Sequence, residues 1–155
     1  LDPANPGRKV LGIDIDIRDH NRKAIVEHPM AGRIDMIQGS SIDEAIVRRV
    51  RNYAENYRRI MVLLDSNHTH DHVARELDAY AGLTSVGSYC IVYDTIIEDV
   101  PDEYSADRDW SRGDNPKTAV WSFLKSNPEF EIDTMMQNKL QITVAPDGFL
   151  KRIKQ

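Results

Sequence analysis

Four apolar runs in this chain each end in a polar or acidic tip: residues 10–16 (VLGIDID), 34–39 (IDMIQG), 60–68 (IMVLLDSNH) and 90–95 (CIVYDT). Segments with helical periodicity separate them. Apolar runs alternating with amphipathic helices predict a parallel sheet covered on both faces. In such sheets ligands bind at the carboxyl ends of the strands. Those ends here carry Asp14, Gln38–Gly39, Asp65 to His68, and Asp94. The same pattern therefore predicts a fold and the edge where chemistry occurs.

The spacing predicts strands over 10–15, 34–38, 59–64 and 89–93, the third being a central parallel strand. Helices are predicted over 19–28 and 42–57, then from Thr69 or His70 to about 80. Ser41 and Glu44 have capping-box spacing. Asn115 caps a further helix with Pro116 at its first position, and Pro128 closes it. Two closing strands, 140–145 and 149–153, flank Pro146, Asp147 and Gly148, and an Asp–Gly pair between apolar runs predicts an antiparallel hairpin. Residues 96–114 are polar, acidic and aperiodic. A loop this long is either functional or disordered, and its position suggests a lid.

With 155 residues the chain is expected to form one domain with a real core. A net charge of −5 argues against nucleic acid as a partner. The basic groups Arg48, Arg49, Arg51 and Lys151, Arg152, Lys154 read as solvated surface. Cys90 is the single cysteine, so no internal disulfide forms. Its mid-strand position reads as a buried, inert thiol. No apolar run approaches the roughly 20 residues of a membrane span, and no segment reads as a secretory signal. A cytoplasmic setting fits these features.

Four strand ends could carry chemistry. Asp14 could accept hydrogen bonds from ribose hydroxyls, or cap the next helix. Gln38, Gly39 and Ser40 could contact an adenine ring, or simply turn into a helix. Asp65 and His68, three residues apart, could share a small site. Asp65 would bind a divalent cation and His68 would take a proton from a hydroxyl held there. The alternative is a hydrophilic helix start favoured by the dipole. His70 and His72 raise a zinc alternative, disfavoured because hard oxygen ligands dominate. Asp94 could approach Asp65, and two facing carboxylates need a cation or proton between them; it could equally be a strand-end cap. Glu98 and Asp99 are expected to face solvent. Trp121 reads as core. Trp110 reads either as a substrate-facing aromatic or as an anchor for the loop.

The segments GIDIDIR, MIQGSSID, VLLDSNHTHDHVARELDAYAGLTSVGSYCIVYDT and GDNPKTAVWSFLKSNPEFEID, with GFLKRI, resemble the cephalosporin hydroxylase family. That family is built on an S-adenosylmethionine-dependent methyltransferase fold and includes O-methyltransferases of sugars and antibiotics. The resemblance covers residues 9–154. Its D-S-x-H and G-x-N-P-x-x-A-x-x-F-L elements are specific only together. It implies a Rossmann-like, mostly parallel sheet closed by the hairpin, with S-adenosylmethionine as cofactor and a small polar acceptor. Asp14 would bind the ribose, and Gln38, Gly39 and Ser40 would lie near the adenine. Asp65 would bind Mg²⁺ and count among the cofactor-binding residues, Asp94 would be a second metal ligand, and His68 would be the general base. Where the family carries a Glu–Asp pair, this chain reads Tyr93–Asp94, so an altered metal site is expected. The Gly-rich strand and loop that open this fold are expected from a longer polypeptide of which this is the C-terminal part. Failing that, a second chain supplies them, which would be a route to a homo-oligomer. Two other functions stand beside methyl transfer. One is a degenerate relative that binds a small molecule or partner. The other is a hydroxylase using iron on His68, His70 and Asp65.

Overall fold

A computed structural model describes residues 7–155. The chain divides into two compact units, 1–48 and 49–155. Its fold is α/β, and the strands among the described residues form one two-stranded and one four-stranded sheet.

In the first unit β1 (Val10–Asp14) lies parallel to β2 (Ile34–Gln38), and α1 (Asp19–Glu27) connects them. The register pairs Val10 with Ile34 and Asp14 with Gln38, so both carboxyl ends finish side by side. Ile17, Ile37 and Ile46 are buried here. Helix α2 (Glu44–Ala54) begins in this unit and ends in the second. Its cap is Asp43 rather than Ser41: Asp43 Oδ1 accepts from the amides of Ala45 (2.7 Å) and Ile46 (3.4 Å). Aspartate serves as well as serine at that position, and its choice starts the helix later than predicted.

In the second unit the strand order is β3–β4–β6–β5. Strands β3 (Val62–Leu64) and β4 (Tyr89–Val92) are parallel. Strand β6 (Phe149–Arg152) runs antiparallel to both β4 and β5 (Phe130–Ile132). Helices α3 (His70–Tyr80) and α4 (Pro116–Leu124) pack on each other. They bury Val73, Leu77, Tyr80, Ala119, Val120 and Phe123. Cys90 and Leu150 lie fully buried on the sheet. Burial pushes the Cys90 thiol up to about 12, with the charge of Glu76 adding to it, so it is inert at neutral pH.

Several expectations are corrected. The partner of β6 is Phe130–Ile132, not residues 140–145. The predicted first arm of the hairpin is instead the end of α5 (Thr134–Leu140) and an irregular segment. The Asp–Gly turn does form, with Asp147 at φ 64° and Gly148 donating to the Ala145 carbonyl at 3.0 Å. Any Cβ on Gly148 would collide with the Val92 carbonyl, so glycine is required where the turn crosses β4. The chain before the turn makes a single bond to the loop after β4, Val144 O accepting from Ile96 N, and so adds no strand.

Strand β3 is also not central among the described strands. It pairs only with β4, spans three residues, and leaves Leu63 52% exposed. Trp121 is 43% exposed rather than core. It faces outward on α4, with Lys117 Nζ 5.8 Å from its ring centroid.

Candidate functional site

The end of β3 continues into Asp65, Ser66, Asn67 and His68, and the end of β4 continues into Tyr93 and Asp94. Parallel pairing of Leu64 with Val92 brings these two tips together. Asp94 adopts a left-handed φ of 55°, which aspartate tolerates better than most residues. One oxygen each from Asp65 and Asp94 and a ring nitrogen of His68 lie within 4.8 Å of one another.

The donor atoms of this cluster lie close together. His68 Nε2 lies 2.8 Å from Asp94 Oδ2 and 3.9 Å from Asp65 Oδ1. Despite the short contact, Nε2 is buried and makes no properly directed hydrogen bond. The three groups thus lie within reach of one small ion, with Nε2 also at ion-pair distance from Asp94. Burial, and then the Asp94 carboxylate, hold the Asp65 carboxyl above its ordinary range, while His68 pulls the other way. Two carboxylates are a donor pair that Mg²⁺ or Mn²⁺ accepts, and His68 stands beside them. Tyr93, half-buried, contributes its backbone amide to the Leu64 carbonyl at 3.0 Å.

His70 and His72 do not join. His70 Nδ1 meets Thr118 Oγ1 at 2.8 Å. His72 Nε2 meets Ser66 Oγ at 3.2 Å and lies 3.7 Å from Glu76 Oε1. The triad of His68, His70 and Asp65 that iron would need is therefore not assembled. Glu98 is half-buried rather than facing solvent, whereas Asp99 is exposed as expected. Glu98 accepts from the amide of Gly113 (2.8 Å) and from the buried side chain of Asn115. Asp99 pairs with the buried Lys117 at 2.6 Å. These contacts staple residues 95–114, which fold into short 3-10 turns at Thr95–Asp99 and Asp102–Ser105. The loop places Trp110 edge-on to His68, with ring centroids 5.7 Å apart and planes at 79°.

Glu76 escaped the sequence reading. It is 2% exposed on the inner face of α3, and its Oε1 accepts from Ser66 Oγ at 2.6 Å. Its Oε2 is buried without a partner. The signal was present: an acid falls in the apolar stripe of Val73, Leu77 and Tyr80.

In the first unit the four expected residues sit at the carboxyl ends of β1 and β2. Asp14 Oδ1 accepts from the amide of Asp16 at 2.9 Å, and it does not cap the next helix, since α1 begins after Arg18 with no side-chain cap. Gln38 Oε1 accepts from Arg22 at 3.0 Å. The Gly39 amide donates to the Asp14 carbonyl at 2.9 Å, and the Ser40 carbonyl accepts from Asp43 at 3.0 Å. Gly39 has φ 150°, and a Cβ there would lie 2.8 Å from Ile46 Cδ1. The backbone after β2 is thus built for glycine.

An α/β chain with acids and an imidazole gathered at the carboxyl ends of parallel strands carries its polar groups where such sheets bind ligands. The rhamnosyl O-methyltransferase/CmcI family model matches residues 1–153, and the chain belongs to that family. It is similar to the rhamnosyl O-methyltransferase of Mycobacterium tuberculosis (strain H37Rv), with 30% identity over 139 residues, 86% of this chain and 54% of that one. The Mycobacterium leprae rhamnosyl O-methyltransferase is 28% identical over 150 residues, 93% of this chain and 59% of that one. The chain thus spans about half the length of the curated relatives it matches. A solved structure of MycE methyltransferase from the mycinamycin biosynthetic pathway, in complex with Mg and SAH, superposes with a TM-score of 0.48. It is 20% identical, over 85% of this chain and 31% of that one. Among the described residues no helix is long and apolar enough to cross a membrane.

Proposed function

We propose that this chain carries part of an S-adenosylmethionine-dependent O-methyltransferase that acts on a hydroxyl of a sugar or similar small polar molecule. The convergence of Asp65, His68 and Asp94, in a chain of this family, carries the reading. Asp65 and Asp94 would hold Mg²⁺ or Mn²⁺. Such an ion lowers the pKa of a bound hydroxyl and orients it. His68 would accept the proton through Nε2, the nitrogen left without a directed partner. Edge contact with Trp110 and flanking by Asp94 would fix the ring's orientation. In the first unit Asp14 would accept ribose hydroxyls, and the backbone at Gln38, Gly39 and Ser40 would border the adenine. Replacing the family's glutamate by Tyr93 removes one hard ligand, so cation affinity is expected to be modest. A reducing cytoplasm suits the single buried thiol.

The decisive experiment is calorimetric titration of S-adenosylmethionine into the chain, with and without Mg²⁺, followed by methyl-transfer assays on sugar acceptors. His68→Ala should lower turnover by roughly 10²–10⁴-fold while cofactor affinity stays unchanged. Equal turnover would remove His68 as the base. A loss of Mn²⁺ affinity in the same variant would make it a ligand instead. Tyr93 supports a second reading, a relative that binds its ligands without turnover. Cofactor binding without transfer to any acceptor would favour that.

A further inference from the structure

We propose that Thr95 is a positioning residue for Asp94. Its hydroxyl, bonded to the turn at residues 145–148, holds Asp94 in the backbone conformation that aims the carboxylate at His68. The proposal rests on the transferase reading above for what Asp94 does there, and adds the residue that decides where Asp94 stands.

Asp94 sits in an unfavourable conformation that its own side chain does not explain. A left-handed φ of 55° is costly for a residue with a Cβ. Aspartate tolerates it where the carboxylate bonds to backbone close by. Asp94 is the residue that precedes the turn Thr95–Asp99, yet it makes no side-chain cap bond to that turn. Its Oδ2 lies instead 2.8 Å from His68 Nε2. The strand-end cap that its position suggests is therefore not formed, and the conformation is imposed from elsewhere.

One distant segment clamps the chain on both sides of Asp94. Before it, the Val92 amide donates to the Gly148 carbonyl at 2.9 Å. After it, Thr95 Oγ1 donates to the Pro146 carbonyl at 2.6 Å, and the Ile96 amide donates to the Val144 carbonyl at 3.2 Å. The clamp is itself braced. Gly148 donates to the Ala145 carbonyl at 3.0 Å, and the Asp147 amide donates to Gln137 Oε1 at 2.9 Å. The Asp147 carboxylate lies 3.5 Å from the buried Lys117 Nζ. Val92 and Ile96 use backbone groups that almost any residue supplies. Thr95 is the member of the clamp whose side chain matters, and it is the residue next to Asp94. It is fully buried, so its hydroxyl depends on this one carbonyl. Without the hydroxyl, Asp94 is free to relax toward an ordinary φ, which turns its carboxylate away from His68.

The test compares Thr95→Val, which removes the hydroxyl and keeps the shape, Thr95→Ala, and Thr95→Ser, which keeps the hydroxyl. Asp94→Asn is the reference for a lost carboxylate. Phe130→Leu, on the far strand β5, is the control for general loosening. Nitrogen–proton correlation NMR reads the His68 ring in chelator, and electron paramagnetic resonance of the free ion reads Mn²⁺ binding. In Thr95→Val and Thr95→Ala the His68 signals should move toward their Asp94→Asn positions. Mn²⁺ should bind roughly 10–100-fold more weakly in both, the scale of a lost outer support for a metal ligand. Thr95→Ser and Phe130→Leu should match wild type in both measurements. His68 signals that stay at wild-type positions in both hydroxyl-free variants, or that move equally in Phe130→Leu, overturn the proposal. So does an Asp94→Asn spectrum identical to wild type, since the contact that Thr95 is said to hold would not exist. The two readings fail separately. No Mn²⁺ binding in wild type sinks the cation and leaves the positioning to the ring signals. Unchanged Mn²⁺ affinity and unmoved ring signals in Thr95→Val and Thr95→Ala sink the positioning and leave the cation.

Discussion

Replacing Glu76 probes how the Asp65–His68 loop is held. The carboxylate is 2% exposed and accepts from Ser66 Oγ at 2.6 Å, while its second oxygen has no partner. Its charge is felt nearby: burial first and Glu76 second push the Tyr80 hydroxyl up to about 12. A hydrogen bond to a charged group is worth roughly 1.5–3 kcal/mol, and each buried methylene about 0.8 kcal/mol. Glu76→Ala forfeits that bond and one methylene, but recovers about 1–2 kcal/mol from the orphaned oxygen. The net loss should be about 1.5 kcal/mol. Glu76→Gln keeps the acceptor and the methylenes, so it should stay within roughly 1 kcal/mol of wild type. Urea unfolding of both variants, with Ser66→Ala and the Glu76→Ala/Ser66→Ala double mutant, closes a cycle whose coupling should reach roughly 1 kcal/mol. Because Ser66 lies between Asp65 and His68 in the chain, Glu76→Ala should also weaken Mn²⁺ binding, and Glu76→Gln should restore it. A Glu76→Ala cost below roughly 0.5 kcal/mol, or additive behaviour in the cycle, would refute the claim that this carboxylate anchors the loop.

Two other perturbations test neighbouring features. Asp65 titrates higher in the folded chain than unfolded, because burial and Asp94 disfavour its charge. Without divalent cation, its contribution to stability is therefore greatest below the unfolded pKa and declines as pH rises through the carboxylate range. Asp65→Asn should flatten that part of the pH–stability curve in chelator and remove the stabilisation given by Mn²⁺. The side chain is 60% exposed, so the gain in chelator should not exceed about 0.5 kcal/mol; a curve rising with pH there would contradict the assignment. Asn115 is fully buried and does two jobs, capping α4 through Oδ1 and donating from Nδ2 to Glu98 and Ser111 O. Asn115→Ala should destabilise by roughly 2–4 kcal/mol in thermal unfolding. Asn115→Asp keeps the cap but faces Glu98, so it should also be destabilising; a neutral result would show that the staple contributes nothing.

What could be read from residues alone were features whose cause is local. Asn115 and Pro116 start α4, because a side-chain acceptor and a fixed φ need no distant partner. The tips Asp14, Gln38, Asp65 and Asp94 lie at strand ends because apolar runs stop where polar residues begin. Features set by distant pairing were not legible. Phe130–Ile132 became a strand because β6 offered an open edge, and its three residues carry too little periodicity to announce it. Residues 140–145 had strand-like chemistry and no edge to use. Glu76 was hidden because its role depends on Ser66, ten positions away, arriving at the same buried point. His68, Asp65 and Asp94 were individually visible as chemistry-bearing residues. Only the parallel register of β3 and β4 decided that a carboxylate and an imidazole separated by 26 positions would meet at 2.8 Å. Composition and spacing act along the chain, whereas a site is an encounter between strand ends, and that encounter is set by which edges pair.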